Sequence, residues 1–178
     1  MGMVFEFKKN DKGYTLVELV AVIAIMVVMT GVLTLSVSII YNEDAKRAAA
    51  LIDDELTEAR MLSMSKSGNI VMIIDTDTAA SNNKIVIKRD SADYKTVYID
   101  KDVLISSKLD GAALTSPGTD IEITFDKSTG SVVSINTKSG TDLTNKICEI
   151  TAVAQKGRKP EARVSLIVNT GRHYIEKD

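Results

Sequence analysis

Residues 12–19, Lys12-Gly13-Tyr14-Thr15-Leu16-Val17-Glu18-Leu19, set a basic leader against an apolar segment that holds a single carboxylate, and the rest of the chain is placed by that junction. From Leu19 to Asn42 no residue is charged, and Val20, Val22, Ile23, Ile25, Met26, Val27, Val28, Met29, Val32, Leu33, Leu35, Val37, Ile39 and Ile40 make the run apolar. As a helix it reaches about 36 Å at about 1.5 Å per residue, whereas a bilayer core is about 30 Å thick. The segment is expected to span a membrane once. Lys8, Lys9 and Lys12 ahead of it outweigh Glu6 and Asp11, a positive excess that keeps this end in the cytoplasm and sends the remainder outward.

Two simpler readings fit less well. A secretory signal peptide places a small-residue cleavage site after a short apolar core of about 7 to 15 residues; here the run is longer and ends on Asn42-Glu43-Asp44 with no such site. A plain membrane anchor leaves Glu18 unexplained. A carboxylate at mid-membrane costs about 2.5 to 3.5 kcal/mol on insertion scales, less near a helix end, and usually marks a paired or functional group.

The glycine, the hydroxyl residue, the two aliphatics and the glutamate of residues 13–18 resemble, in register, the type III signal of the type IV pilin and pseudopilin family, with Tyr14 in place of the commoner phenylalanine. The resemblance implies that a prepilin peptidase cuts after Gly13 and methylates the new N-terminus, Tyr14. Glu18, at the fifth mature position, would then neutralise the N-terminal amine of a subunit packing into a filament. Breaking one side of a buried ion pair costs about 3 to 5 kcal/mol, so Glu18 would act as a docking and register group. The implied partners are other pilin or pseudopilin subunits, the prepilin peptidase, the inner-membrane assembly platform and the membrane itself. The implied location is a single-pass protein of the cytoplasmic membrane with an extracytoplasmic domain, then an extracellular or periplasmic filament.

On this reading residues 1–13 are a leader, 14–41 a membrane-spanning and filament-core helix, 42–67 its amphipathic continuation and 68–178 a β-rich domain. In the continuation, Ala45, Ala48, Ala49, Ile52, Leu56, Ala59 and Leu62 recur at three- and four-residue steps and form one stripe. Glu43 with Arg47 supports the exposed face, and Lys66 and Gly68 mark the stop. No proline precedes Pro117, so one long helix from about Tyr14 to Ser67 is expected, loosened at most near Thr30-Gly31.

Beyond Gly68 the periodicity changes. Ile70 to Ile74 is a short apolar run, and Ile85 and Ile87, Val97 and Ile99, Val103 and Ile105, Ile121, Ile123 and Phe125, Val133 and Ile135, and Val164, Leu166 and Val168 alternate with polar residues. Ser81-Asn82-Asn83, Asp110-Gly111, Ser116-Pro117-Gly118, Lys127-Ser128-Thr129-Gly130, Lys138-Ser139-Gly140 and Asn169-Thr170-Gly171 read as turns between them. The fold class expected is α+β and pilin-like, a long N-terminal helix packed on an antiparallel sheet. Phe125-Asp126-Lys127-Ser128-Thr129-Gly130, the strands at Ile147 to Val153 and Arg163 to Val168, and Thr170-Gly171-Arg172 are similar in order to the GspH and FimT group of minor pseudopilins.

Little points to catalysis. Cys148, the only cysteine, shares a strand face with Ile150 and Ala152 and reads as core, and an intrachain disulfide is excluded. His173, the only histidine, reads as an exposed or edge-strand residue, because metal sites need three or four ligands. Asp75-Thr76-Asp77-Thr78 begins like a calcium loop without its later glycine and glutamate, and reads as a turn. Neither metal nor cofactor is expected, and the chain is not expected to be an enzyme. The net charge of -2 conceals a basic C-terminal part. There Lys156, Arg158, Lys159, Arg163, Arg172 and Lys177 are either a solvated hairpin face or one positive surface at a filament tip that contacts DNA or a secreted substrate. FimT-like pilins have been linked to DNA uptake through basic C-terminal residues, and Tyr174 stands where a second arginine would be expected.

Overall fold

The computed structural model describes residues 15–65, 68–76, 83–114, 120–136, 138–156 and 159–176, with no description of the side chains of residues 32–42, 138, 139 and 141. The leader, the Asp77 and Thr78 turn, Ser81, Asn82, residues 115–119 and Lys66 therefore lie outside the described residues. The chain divides into two units, Met1–Val37 and Ser38–Asp178. Helix α1 runs Leu16–Met64, so the continuous helix expected from the uninterrupted apolar and amphipathic pattern is formed, with ends two to three residues inside the expected ones.

In the first unit α1 begins on a hydrogen-bonded cap. The Glu18 amide donates to Thr15 Oγ1 at 3.3 Å, and the Leu19 amide donates to the Thr15 carbonyl at 3.1 Å. Thr15 thus satisfies an amide that the first helical turn would otherwise leave without a partner. Thr30 Oγ1 returns a bond to the Met26 carbonyl at 2.7 Å, and the helix passes through Gly31.

Among the described residues the second unit holds eleven strands: β1 (Ile70–Asp75), β2 (Asn83–Arg89), β3 (Ala92–Ile99), β4 (Val103–Leu109), β5 (Ala112–Ala113), β6 (Ile121–Phe125), β7 (Val132–Ile135), β8 (Lys138–Ser139), β9 (Ile147–Ala154), β10 (Glu161–Ile167) and β11 (Arg172–Ile175). A 3-10 turn, Gly140–Leu143, precedes β9. All described pairings are antiparallel, as expected. The strands do not form one sheet. Six lie in the order β3-β2-β1-β6-β7-β8 and five in the order β11-β10-β9-β4-β5. Two short connections are tight reversals: Asp90 and Ser91 link β2 to β3 and Asp110 and Gly111 link β4 to β5, each residue at positive φ. Positive φ at both central positions is what a two-residue hairpin turn needs to match strand twist.

The expected stripe on α1 is the inner surface of this unit. Ala45, Ala49, Ile52, Leu56 and Ala59 are fully buried, together with Met72, Ile74, Ile85 and Ile87 from one sheet and Cys148, Ile150, Val164 and Leu166 from the other. The stripe ends on Ser63 rather than Leu62: Ser63 is fully buried, and its Oγ donates to the Phe125 carbonyl at 3.0 Å. Glu43 pairs with Lys46, at 3.7 Å, not with Arg47. Val133 is exposed and Val132 buried, the reverse of simple alternation, because the β6–β7 register shifts at Thr124 and Phe125. Val168, expected inside a strand, is buried in the turn after β10. Lys138 and Ser139, expected in a turn, form the short edge strand β8.

Polar groups bind the rim of the stripe to the sheets. Lys95, on the inner face of edge strand β3, bridges Glu55 and Glu58 of α1, each at 2.6 Å. Their hydrogen bonds, Glu55 first, raise the Lys95 pKa above its ordinary 10.5. Near the far end of the helix, Arg60 Nε donates to the Gly130 carbonyl at 3.1 Å. Gly130 closes a turn in which Asp126 Oδ1 accepts from the amides and hydroxyls of both Ser128 and Thr129. Those bonds, with the Ser128 hydroxyl leading, hold the Asp126 carboxyl far below the usual carboxylate range. Gly171, at φ 63°, packs against this turn so closely that a Cβ there would lie 1.8 Å from the Gly130 oxygen. The Val132 amide donates to the Val168 carbonyl at 2.9 Å, joining the same two turns.

Two variants test these ties. Gly171→Ala is expected to destabilise by about 3 kcal/mol or more, since it combines a left-handed backbone with overlap on a backbone oxygen. Gly111→Ala, at φ 79° but with nothing within 4 Å of its Cβ, should lose only about 1 to 2 kcal/mol; equal losses in urea unfolding would show that the Gly130 contact carries nothing. Lys95→Ala should cost about 1 to 3 kcal/mol at neutral pH, because Glu55 is left buried without its partner. A raised lysine pKa contributes stability that is complete below 10.5 and is lost as pH rises through the folded value. The wild-type urea midpoint should therefore fall above pH 10.5 more steeply than that of Lys95→Ala, and parallel profiles would refute the assignment.

Candidate functional site

Of the processing residues, Gly13 and Tyr14 lie outside the described residues, while Glu18 stands in the first turn of α1. Its amide is engaged by Thr15, and its side chain is on an exposed position. Thr15 is a residue that the sequence reading passed over, although Thr15-Leu16-Val17-Glu18 has the spacing of a capping box, in which a hydroxyl at the cap and a glutamate three residues on satisfy each other's amides. Around Glu18 the helix is apolar on every side. Leu16, Val17, Leu19, Val20, Val22, Ile23, Ile25, Met26, Val27, Val28 and Met29 are all exposed, from 45% at Val22 to 79% at Leu16. A helix apolar all round gains stability only where lipid or protein surrounds it. Among the described residues no helix is long and apolar enough to cross a membrane; within the expected span, residues 32–41 have no described side chains.

The described basic residues are spread over the second unit rather than gathered at one place. Arg158 and Lys177 lie outside the described residues. Lys159 is exposed just before β10, whereas Arg172 pairs with Ile167 at its opposite end. The strand between, Glu161–Ile167, separates them by about 20 Å at about 3.3 Å per residue. Arg163 faces its own neutralising carboxylates, Glu161 in close contact and Glu176 at 3.9 Å, and Lys156 is paired with Asp102 at 2.5 Å. The described cations are thus dispersed or internally paired, the result of an antiparallel hairpin that carries its two ends apart.

His173 is on an edge strand, as expected, but not exposed: its side chain is 7% accessible, because β11 lies against α1. Nδ1 is 3.1 Å from the Gly171 carbonyl and Nε2 is 2.8 Å from Thr57 Oγ1. A carbonyl can only accept, so Nδ1 carries the proton, while the one hydrogen of Thr57 Oγ1 is directed to the Asp53 carbonyl at 3.1 Å and its oxygen faces Nε2. Asp53 Oδ1 lies 4.0 Å from Nε2 and has no hydrogen-bond partner. Beside this contact an open groove of about 450 Å³ runs between α1 and β11, lined by Arg60, Met61, Ile167, Arg172 and Tyr174 as well as Thr57 and His173.

Cys148 is core, as its strand spacing predicts. Burial, with a smaller contribution from Glu149, pushes its thiol up to about 12, so it is protonated at neutral pH. Asp75 belongs to β1 and pairs with Lys84 at 3.1 Å. Among the described residues no group of three histidine, cysteine or carboxylate side chains is placed to hold a metal ion.

Comparison with known proteins returns to the chain's N-terminus. Residues 8–34 match the family model for the prokaryotic N-terminal methylation motif. No curated protein matches the chain. Among solved structures it is similar to the type IV minor pilin FimU of Pseudomonas aeruginosa, with 14% identity, a TM-score of 0.49, and coverage of 76% of this chain and 90% of that one. The matched residues include Gly13, Tyr14 and Glu18.

Proposed function

We propose that the chain is a minor pilin or pseudopilin subunit. It is cut after Gly13 and methylated on Tyr14 by a prepilin peptidase, held in the cytoplasmic membrane by one span over residues 14–41, and passed by an assembly platform into a filament of related subunits. The observation that carries this reading is the capped helix that follows the methylation motif: apolar side chains from Leu16 to Met29 stand exposed on all sides, with one carboxylate, Glu18, at its start. Such a surface is stable in lipid before assembly and among neighbouring helices after it. The leader's positive excess supports an outward-facing domain.

The minor-subunit reading has its own support. The two segments that resemble the GspH and FimT group, Phe125 to Gly130 and Thr170 to Arg172, meet at the contact of Gly130 with Gly171. They are parts of one packing arrangement rather than separate matches.

Processing and docking can be tested separately. Gly13→Val should leave a longer, unmethylated precursor in the membrane, read by intact mass; a mature chain starting at Tyr14 in that variant would overturn the cleavage site. Glu18→Gln keeps the shape and hydrogen-bonding capacity of the side chain but removes the charge, so the helix cap should survive while incorporation into filaments beside wild-type subunits drops at least tenfold, as loss of a buried charge pair worth about 3 kcal/mol or more demands. Normal incorporation of Glu18→Gln would reduce Glu18 to a capping residue.

A further inference from the structure

The groove between α1 and β11 combines features that the filament reading does not use. Arg172 is exposed, and among the described residues its guanidinium makes no hydrogen bond or ion pair; its backbone pairs with Ile167, and its amide donates to Thr170 Oγ1 at 3.3 Å. Arg60 donates to Gly130 through Nε alone, leaving its two terminal nitrogens without a described partner. Both arginines line the same groove. Guanidinium forks match the planar geometry of a carboxylate, which one such group can hold through two parallel hydrogen bonds. Beside Thr57 and His173, the wall carries three side chains with apolar surface: Met61 is 56% exposed, Tyr174 is 48% exposed and Ile167 is half-buried. A volume of about 450 Å³ suits a few side chains of a peptide.

We propose that this groove is a docking site for an acidic peptide segment of a partner protein, in which a carboxylate is held by Arg60 and Arg172 and a neighbouring apolar side chain lies on Met61, Ile167 and Tyr174. Charge complementarity selects the occupant. A nucleic acid backbone recruits a row of cations, about 6 to 10 in strong binders; the groove offers two, and Asp53, outside its lining but 4.0 Å from the lining residue His173, adds a negative charge close by. A peptide brings one carboxylate to the two arginines and keeps clear of Asp53. The flexible thioether of Met61 and the amphipathic ring of Tyr174 accommodate aliphatic or aromatic neighbours. The site lies wholly within residues 53–174 and does not depend on cleavage, methylation or filament entry.

The test uses the full chain in uncharged detergent micelles. An array of five-residue peptides, each with a central aspartate or glutamate flanked in turn by leucine, isoleucine, methionine, phenylalanine or tyrosine, is compared with the matching asparagine and glutamine array. The best acidic peptide, labelled with fluorescein, then gives affinities by polarisation. Acidic members are expected to bind at least tenfold more tightly than their amides. Arg172→Ala, which removes an exposed side chain without a described partner, should weaken binding at least tenfold with an unchanged melting temperature, and Arg172→Lys should fall between. Equal binding of acidic and amide arrays, or wild-type affinity in Arg172→Ala, would overturn the proposal. A twelve-residue oligothymidylate that displaces the peptide and itself depends on Arg172 would assign the groove to phosphate instead. Self-association of the chain in sedimentation that is lost in Arg172→Ala would assign it to a second copy. Each of these failures leaves the Gly13→Val and Glu18→Gln outcomes unaffected, so the groove and the filament reading can be lost separately.

Discussion

The apolar stripe on α1 between Ala45 and Ser63 is the surface that the second unit exists to cover, and its dimensions constrain everything built on it. Ala45, Ala49 and Ala59 have no side chain beyond Cβ, so the backbone there can approach its covering layers closely, while Ile52 and Leu56 fill the space between. Fully burying each of the larger two contributes about 1.5 to 3 kcal/mol. The polar ties at the rim each add about 1 kcal/mol net, so they do not hold the helix in place by energy. They fix its position along the stripe. Lys95 reaches Glu55 and Glu58 from the edge of one sheet, His173 reaches Thr57 from the edge of the other, and Arg60 and Ser63 bind the carbonyls of Gly130 and Phe125. A helical slip of one turn would break all of these and leave the buried Glu55 without its lysine.

Within residues 15–31 the same helix obeys a different rule. No stripe exists there; apolar side chains project in every direction and all are exposed. The two patterns need two solvents, one aqueous for a half-polar helix and one apolar for a fully apolar helix. Thr15 and Glu18 stand at the start of the second kind. The cap satisfies a terminal amide that lipid could not, since an unsatisfied backbone group in hydrocarbon costs several kcal/mol. Glu18 can therefore serve the helix through its amide and a neighbouring chain through its carboxylate, without conflict between the two.

Much of this was legible because it depends on local periodicity. The stripe from Ala45 to Ala59, the run Ile70–Ile74, the strands around Ile85, Val103 and Ile121, and the core position of Cys148 follow from spacing alone. What was not legible depends on contacts distant in sequence. One sheet was expected and two formed, because Val103 pairs with Ala154 and Val71 with Thr124, choices that no window of residues encodes. Val133 was misassigned because an irregularity in the β6–β7 pairing skips it, Ser134 standing opposite Thr124 and Val132 opposite Phe125. His173 was placed on the correct edge, but its burial against α1 is a contact distant in sequence. The basic residues were grouped by closeness in sequence, yet an antiparallel hairpin puts Lys159 and Arg172 at opposite ends of β10. For the candidate groove, neither Arg60 nor its partnership with Arg172 carried any sequence signal, because one lies on the helix and the other more than a hundred residues later.

Gly171 and Arg172 show how adjacent residues can answer to different demands. The glycine is fixed by packing: its φ is positive, and the Gly130 oxygen occupies the place where a side chain would begin. The arginine has no such obligation. Its side chain is exposed, unpaired among the described residues, and replaceable without loss to the core. Immobilising a long cationic side chain costs about 2 kcal/mol of conformational entropy, which the folded chain avoids by leaving Arg172 free. That cost falls on the moment of binding instead. The turn held rigid by Gly171 sets where the arginine backbone stands, next to Arg60 and the exposed face of Met61, so only the side chain remains to be ordered when a carboxylate arrives.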